Sequence, residues 1–281
     1  METNINTDTN VNKSVIEFLD GKNVFIFDTE TTGLPQRVPG GKWGTASEYW
    51  DYSMNEKYNQ SRVVSIAWVL MQSFEKAKCL DIHSDAIINY IRYPEGFDEI
   101  PTTHIHGISF ETAIRTGIPF SEIFNNCKLY DNLMSADYII AHNVNFDIHI
   151  LLNEIYRLSV NCDGNGNGNI LLGKSGSDLS NAKAAIKHIL NLMATGKCIC
   201  TGEISKDICK LEYKYYTSKY SNSNIKNISV VNNTLTNAKK AKIYKMPKLI
   251  ELYNYFYKCD FDNAHSAEGD VKALLQCLAK M

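Results

Sequence analysis

Two carboxylates close an apolar run: Asn23-Val-Phe-Ile-Phe-Asp28 leads into Thr29 and Glu30. Residues two apart on a strand face the same way, so Asp28 and Glu30 project from one side. Paired acids at the end of a buried strand repel each other and are costly to desolvate, and a divalent cation relieves both problems. Asp147 ends the segment His142-Asn-Val-Asn-Phe-Asp and falls in the expected first turn of a helix. Asp270 lies five residues after His265, about one turn into a helix that Ser266 can cap, with His265 in the loop before it. These are four carboxylates and one His at strand ends and helix starts, where α/β sites are built. Hard oxygen donors without a Cys/His set favour Mg²⁺ or Mn²⁺. Two such ions about 3.5–4 Å apart stabilise the attacking and leaving oxygens of an in-line phosphoryl displacement. A neutral His beside them can take the proton from the attacking water.

Each residue also has a plainer explanation. Asp28-Thr-Glu-Thr-Thr-Gly33 is good turn chemistry. Asp147 would favour a helix start through the dipole alone. A His at a helix entrance can be a satisfied surface residue.

The elements that must hold these residues can be read from pattern. Residues 23–28 suit a buried central strand; 62–72 (RVVSIAWVLMQ) and 86–93 (AIINYIRY) are further β-rich runs separated by turn residues, predicting a meander. Residues 121–136 show helical spacing with Ser121 as N-cap, 138–141 a short strand, and 145–158 a helix with Phe146, Ile150, Leu151 and Ile155 on one side. Pro247 fits the first turn of a helix through Tyr257, and 267–280 carries Val271, Leu274, Leu275 and Leu278 on one stripe. Strands followed by strand–helix units predict an α/β fold, a mixed sheet with helices packed on it.

Composition sets the limits. The chain has 281 residues, 44% hydrophobic and 21% charged, enough for a sizeable core. No run of eighteen or more apolar residues could span a membrane, and the first residues lack a secretory pattern, so the expected location is intracellular, with the eight cysteines reduced. The net charge of −2 means that any nucleic-acid surface must be local. The expected organisation is a loose tail over 1–20 and one domain over 21–281, with insertions near 36–61, 161–180 and 218–237.

Three motifs carry a resemblance: Val24-Phe-Ile-Phe-Asp28-Thr-Glu30-Thr-Thr-Gly33, Ala141-His-Asn143-Val-Asn-Phe146-Asp147 and Ala264-His265-Ser-Ala-Glu-Gly-Asp270. In this order and spacing the chain resembles the DEDDh (DnaQ-like) 3′–5′ exonucleases of the ribonuclease H-like superfamily, which include polymerase proofreading subunits. His104-Ile-His106-Gly107-Ile108 and the Thr201 region also look like recurring family segments. The resemblance implies a ribonuclease H-like five-stranded mixed sheet. It implies that Asp28, Glu30, Asp147 and Asp270 ligate two metal ions and that His265 is the general base. It further implies removal of nucleoside 5′-monophosphates from a 3′ end, with Thr31 and Leu34 near the terminal nucleotide. The substrate expected is a single-stranded or frayed DNA 3′ end, with RNA as the alternative because the motifs do not read the sugar. A partner polymerase or repair assembly, or less readily a non-catalytic binding role, fits the same family.

Between residues 206 and 248 ten lysines face only Asp207 and Glu212, a local excess of eight positive charges. Tyr213, Tyr215, Tyr216 and Tyr220 interleave with them. Lysines bind phosphates and aromatic faces stack on unpaired bases, so Lys239, Lys240 and Lys242 are candidate strand contacts; a solvated lysine-rich loop is the alternative. His104 and His106 share a loop with a Gly turn and are expected to be structural, and Cys198, Cys200 and Cys209 lack the pairing of a zinc ribbon.

Overall fold

The computed structural model describes residues 15–42, 44–160, 176–212 and 244–281. Its centre is a five-stranded sheet of order β3-β2-β1-β4-β5: β1 Val24–Thr31, β2 Val63–Met71, β3 Ile88–Ile91, β4 Tyr138–Ala141 and β5 Cys198–Cys200. Strand β2 runs antiparallel to both β1 and β3, whereas β1, β4 and β5 are parallel. The meander and the parallel strand–helix units thus join into one five-stranded mixed α/β sheet with flanking helices, as the sequence predicts.

The helices, in chain order, are α1 Asn55–Tyr58, α2 Thr103–His106, α3 Phe110–Thr116, α4 Phe120–Asn126, α5 Leu129–Met134, α6 Val144–Ser159, α7 Gly176–Ala194, α8 Thr201–Cys209, α9 Leu249–Tyr257 and α10 Ala267–Lys280. Strand alternation divides the core. The odd face of β1, Phe25 and Phe27, packs with Phe120, Leu129, Ile148, Leu151 and Ile189, which come from α4 to α7. The even face, Val24 and Ile26, packs with Leu252, Val271, Leu274 and Leu278 of α9 and α10. Both faces of β1 are covered, which is why its sequence is a continuous apolar run.

Several expectations are corrected. The helix expected over 121–136 is two, α4 and α5, because Lys128 takes a left-handed conformation (φ 69°) between them; the extended residue before α4 is Pro119, not Ser121. The turn lets both halves bury their apolar sides, Phe120, Ile123 and Phe124 in one and Leu129 and Leu133 in the other. Pro247 lies before α9, which Lys248 opens; its carbonyl accepts instead from His142 Nε2 at 2.8 Å. The third strand is shorter than 86–93. Residues 15–19 of the expected tail form a 3-10 turn that buries Ile16 and Leu19. The end of the 161–180 insertion belongs to α7, whose buried Ala182, Ala185, Ile186, Ile189 and Leu192 recur at helical intervals. That spacing could have been read beforehand; the Ser- and Gly-rich start hid it. No described helix is long and apolar enough to cross a membrane.

Candidate metal centre

Alternation along β1 decides where its acids go. Asp28 and Glu30 continue the even face, the side covered by α10, and there they meet Asp270 from the first turn of that helix. One carboxylate oxygen from each of the three lies within 4.8 Å of the others. The turn before α10 is built for this: the Ser266 hydroxyl accepts from the Gly269 N–H at 3.1 Å, capping the helix. Gly269 has no alternative, since a Cβ there would stand 2.3 Å from the Asn263 carbonyl oxygen. His265 occupies the left-handed region (φ 66°), and its backbone N–H donates to Asp270 Oδ1 at 3.2 Å. Its side chain is exposed, and its charge acts on Asp270.

Asp147 arrives from the other face. It sits in the first turn of α6, is 2% exposed, and lies outside the trio that meets within 4.8 Å. Thr29, on the odd face between the two acids, holds it: the Thr29 N–H and hydroxyl both donate to Asp147 Oδ1, at 3.1 and 2.7 Å. Sequence reasoning missed Thr29, although the parity that paired Asp28 with Glu30 also turns Thr29 the opposite way.

The four carboxyls strain against their surroundings. Burial, then Asp147, Asp270 and Glu30, raise Asp28 well above the ordinary aspartate range. Burial with Asp270 and Asp147 lifts Glu30 to about 8. Asp147 is raised by burial, partly offset by the bonds from Thr29. Asp270 is pushed to about 6 by burial, against the backbone bond and the charge of His265. Among the described residues, His265 is the one cation-forming side chain that offsets any of the four. Acids wholly or partly buried, with no lysine or arginine acting on them among the described residues and arriving from separate elements, are a donor set that fits hard divalent cations.

The flanking residues divide. Thr31 is buried, its hydroxyl donates to the Gly33 carbonyl at 2.8 Å, and its own carbonyl accepts from Thr102 Oγ1 at 2.6 Å. Leu34 is 64% exposed. Gly33 is required by close approach, because a Cβ would stand 2.7 Å from the Gln60 carbonyl oxygen. His106 is buried; its Nδ1 accepts from the Ile108 N–H, so Nε2 donates to Thr102 Oγ1, a structural role as expected. Thr201 and His142 bond each other at 3.1 Å behind the start of α6. Lys239, Lys240 and Lys242, with the interleaved tyrosines, lie outside the described residues.

No protein-family model matches the chain. No curated protein matches it either. Among solved structures, exonuclease I from Methylocaldum szegediense is similar over 48% of this chain and 24% of its own, at 16% identity and a TM-score of 0.31. The zinc-bound form of the E. coli exonuclease I complex with single-stranded DNA is similar over 92% of this chain and 39% of its own, at 12% identity and a TM-score of 0.46. An apo exonuclease I is similar over 49% of this chain and 25% of its own, at 14% identity and a TM-score of 0.29. The chain therefore spans between about a quarter and two-fifths of the length of these structures. At such identities and scores they carry nothing about what this chain acts on; the fold rests on the strand order above.

Proposed function

We propose that the chain is a metal-dependent 3′–5′ exonuclease that hydrolyses phosphodiester bonds at single-stranded or frayed DNA 3′ ends and releases nucleoside 5′-monophosphates. The observation that carries this reading is the meeting of Asp28, Glu30 and Asp270 within 4.8 Å, with Asp147 held beside them. The direction and the product are what the family resemblance of the three motifs implies.

In this reading Asp28, Glu30, Asp147 and Asp270 hold Mg²⁺ or Mn²⁺, two ions per site. Bound there, the ions would supply positive charge to the phosphoryl group undergoing displacement. Asp28 and Glu30 fix the floor of the site from a strand covered on both faces, and Asp270 closes it from the capped end of α10. His265, exposed at the edge, accepts a proton on its ring nitrogen from the attacking water. Leu34 offers an apolar surface to the terminal base, and Thr31 keeps the adjacent turn in shape. Lys239, Lys240 and Lys242 contact phosphates of the incoming strand; reversing their charge should weaken binding and flatten its salt dependence by about one unit of slope per lysine.

The test is matched 5′-labelled DNA and RNA oligonucleotides, single- and double-stranded, incubated with Mg²⁺ or Mn²⁺. A ladder shortening from the 3′ end of DNA is the expected result. Shortening of RNA alone would move the substrate to RNA, and turnover that persists in EDTA would sink the metal-dependent reading.

A further inference from the structure

We infer that Thr29 is a positioning residue for the metal centre: its hydroxyl locks the Asp147 carboxylate so that one oxygen is committed to the fold and the other is left for a cation. The inference rests on the metal-dependent reading above and adds a residue that the motif likeness assigns no role.

The argument starts at the edge of β1. The register of β1 against β4 runs only from Val24 opposite Tyr138 to Ile26 opposite Ile140. Past Ala141 the chain turns through Asn143 (φ 71°) into α6, so β4 offers the outer half of β1 no further strand partner. The Thr29 N–H would be an orphan donor on that edge, and the Asp147 carboxylate takes the place of the missing strand, 118 residues away in sequence. Any residue at position 29 except proline would supply that N–H. The hydroxyl is specific to this one.

Thr29 is only 6% exposed and stands on the face that Phe25 and Phe27 share with α6. A strand position of this kind would accept Val on packing grounds alone. The hydroxyl instead donates to the same Oδ1 that takes the N–H, at 2.7 Å. Two donors converging on one oxygen fix the plane of the carboxylate as well as its place, and the Thr29 bonds leave Oδ2 unused. A carboxylate turned away from this orientation would be a poorer ligand at unchanged charge. Outer partners of metal ligands typically contribute about 10–100-fold in metal affinity.

The experiment is Mn²⁺ titration of the full chain, read by the paramagnetic signal of free Mn²⁺, on wild type, Thr29→Val and Thr29→Ser, with far-UV circular dichroism and thermal midpoint recorded for each. Thr29→Val keeps the branched shape and removes the hydroxyl; it should weaken Mn²⁺ binding by about 10-fold or more with the helical spectrum intact. Thr29→Ser keeps the hydroxyl and removes the methyl; it should lower the thermal midpoint yet bind Mn²⁺ as wild type does. Equal binding by Thr29→Val and wild type overturns the inference alone. So does equal weakening in Thr29→Ser and Thr29→Val, which would make the role one of packing. Failure of the wild type to bind Mn²⁺ overturns the metal-dependent reading and this inference with it.

Discussion

Two groups of acid, wholly or partly buried, sit against this one sheet, and they are treated in opposite ways. Glu154, in the middle of α6, is 2% exposed and surrounded by donors: Arg62 Nε at 2.7 Å, Arg62 Nη2 at 3.1 Å, the Val63 N–H at 3.1 Å and Arg92 Nη1 at 3.5 Å. Burial pushes its carboxyl upward, but Arg62 and then Arg92 overcome this and hold it at about 2. Among the described residues no arginine acts on Asp28, Glu30, Asp147 or Asp270, and their carboxyls are driven the other way. The first group is complete inside the chain. The second is a donor set that could take a cation from outside, and on the proposed function that difference separates an acid that holds the fold from acids that hold a ligand.

The largest effect that would break the contrast is at Asp28. Asp28→Ala should lower turnover by orders of magnitude while raising the thermal midpoint of the metal-free protein, because it removes repulsion as well as a ligand; a midpoint that falls instead would make Asp28 a structural acid. His265→Ala should depress the rate by about 10²–10⁴-fold and leave Mn²⁺ and oligonucleotide binding largely intact. Steady-state rates beside a filter-binding measurement separate the two. Glu154→Gln should leave the metal affinity unchanged yet cost about 3–5 kcal/mol in a urea melt, since Arg92 would keep a buried charge with its main partner gone.

Acidity provides the finest comparison. Folding raises Glu30 from 4.5 to about 8 and Asp270 from 3.8 to about 6, so the folded chain binds more protons there than the unfolded one. In EDTA, their contribution to stability is greatest below pH 4 and is lost as pH climbs through 6 to 8. Glu154 has the opposite sign: its contribution is present above 4.5 and disappears as pH falls toward 2. Thermal midpoints across this range should show a decline on the alkaline side that saturating Mg²⁺ removes and a decline on the acid side that it leaves alone. An alkaline decline insensitive to Mg²⁺ would mean that the acids at β1 do not share a cation.

Much of the site was legible because it obeys short-range rules. Strand alternation sufficed to put Asp28 and Glu30 on one side, and the Ser266 cap sufficed to put Asp270 one turn into its helix. What alternation could not tell is which helix covers which face. Only the assembled layers reveal that Asp270 shares the side of Asp28 and Glu30, while Asp147 reaches the site from across the sheet through Thr29. The Glu154 network was missed for the same reason, since its arginines lie just before β2 and just beyond β3 and nothing local pairs them with α6. Strand β5, three residues long, is too short for any periodicity. The break at Lys128 was hidden because a lysine carries no turn signal, whatever φ it adopts.

The clasp at Gly33 has one more effect. Ser61 Oγ donates to the Gly33 carbonyl at 2.6 Å and Thr32 Oγ1 to the Gln60 carbonyl at 3.0 Å, so the chain leaves β1 and re-enters β2 at a single knot. The span between them is also tied down along α6: Asn145 Nδ2 donates to the Gly44 carbonyl at 2.8 Å, Asn153 Nδ2 donates to the Tyr52 carbonyl at 2.7 Å, and Tyr49 stacks on His149. The excursion is a brace laid along α6 with Tyr58 sunk in the core, so changing its length or sequence pulls on the helix that carries Asp147 while the knot keeps the end of β1 in place.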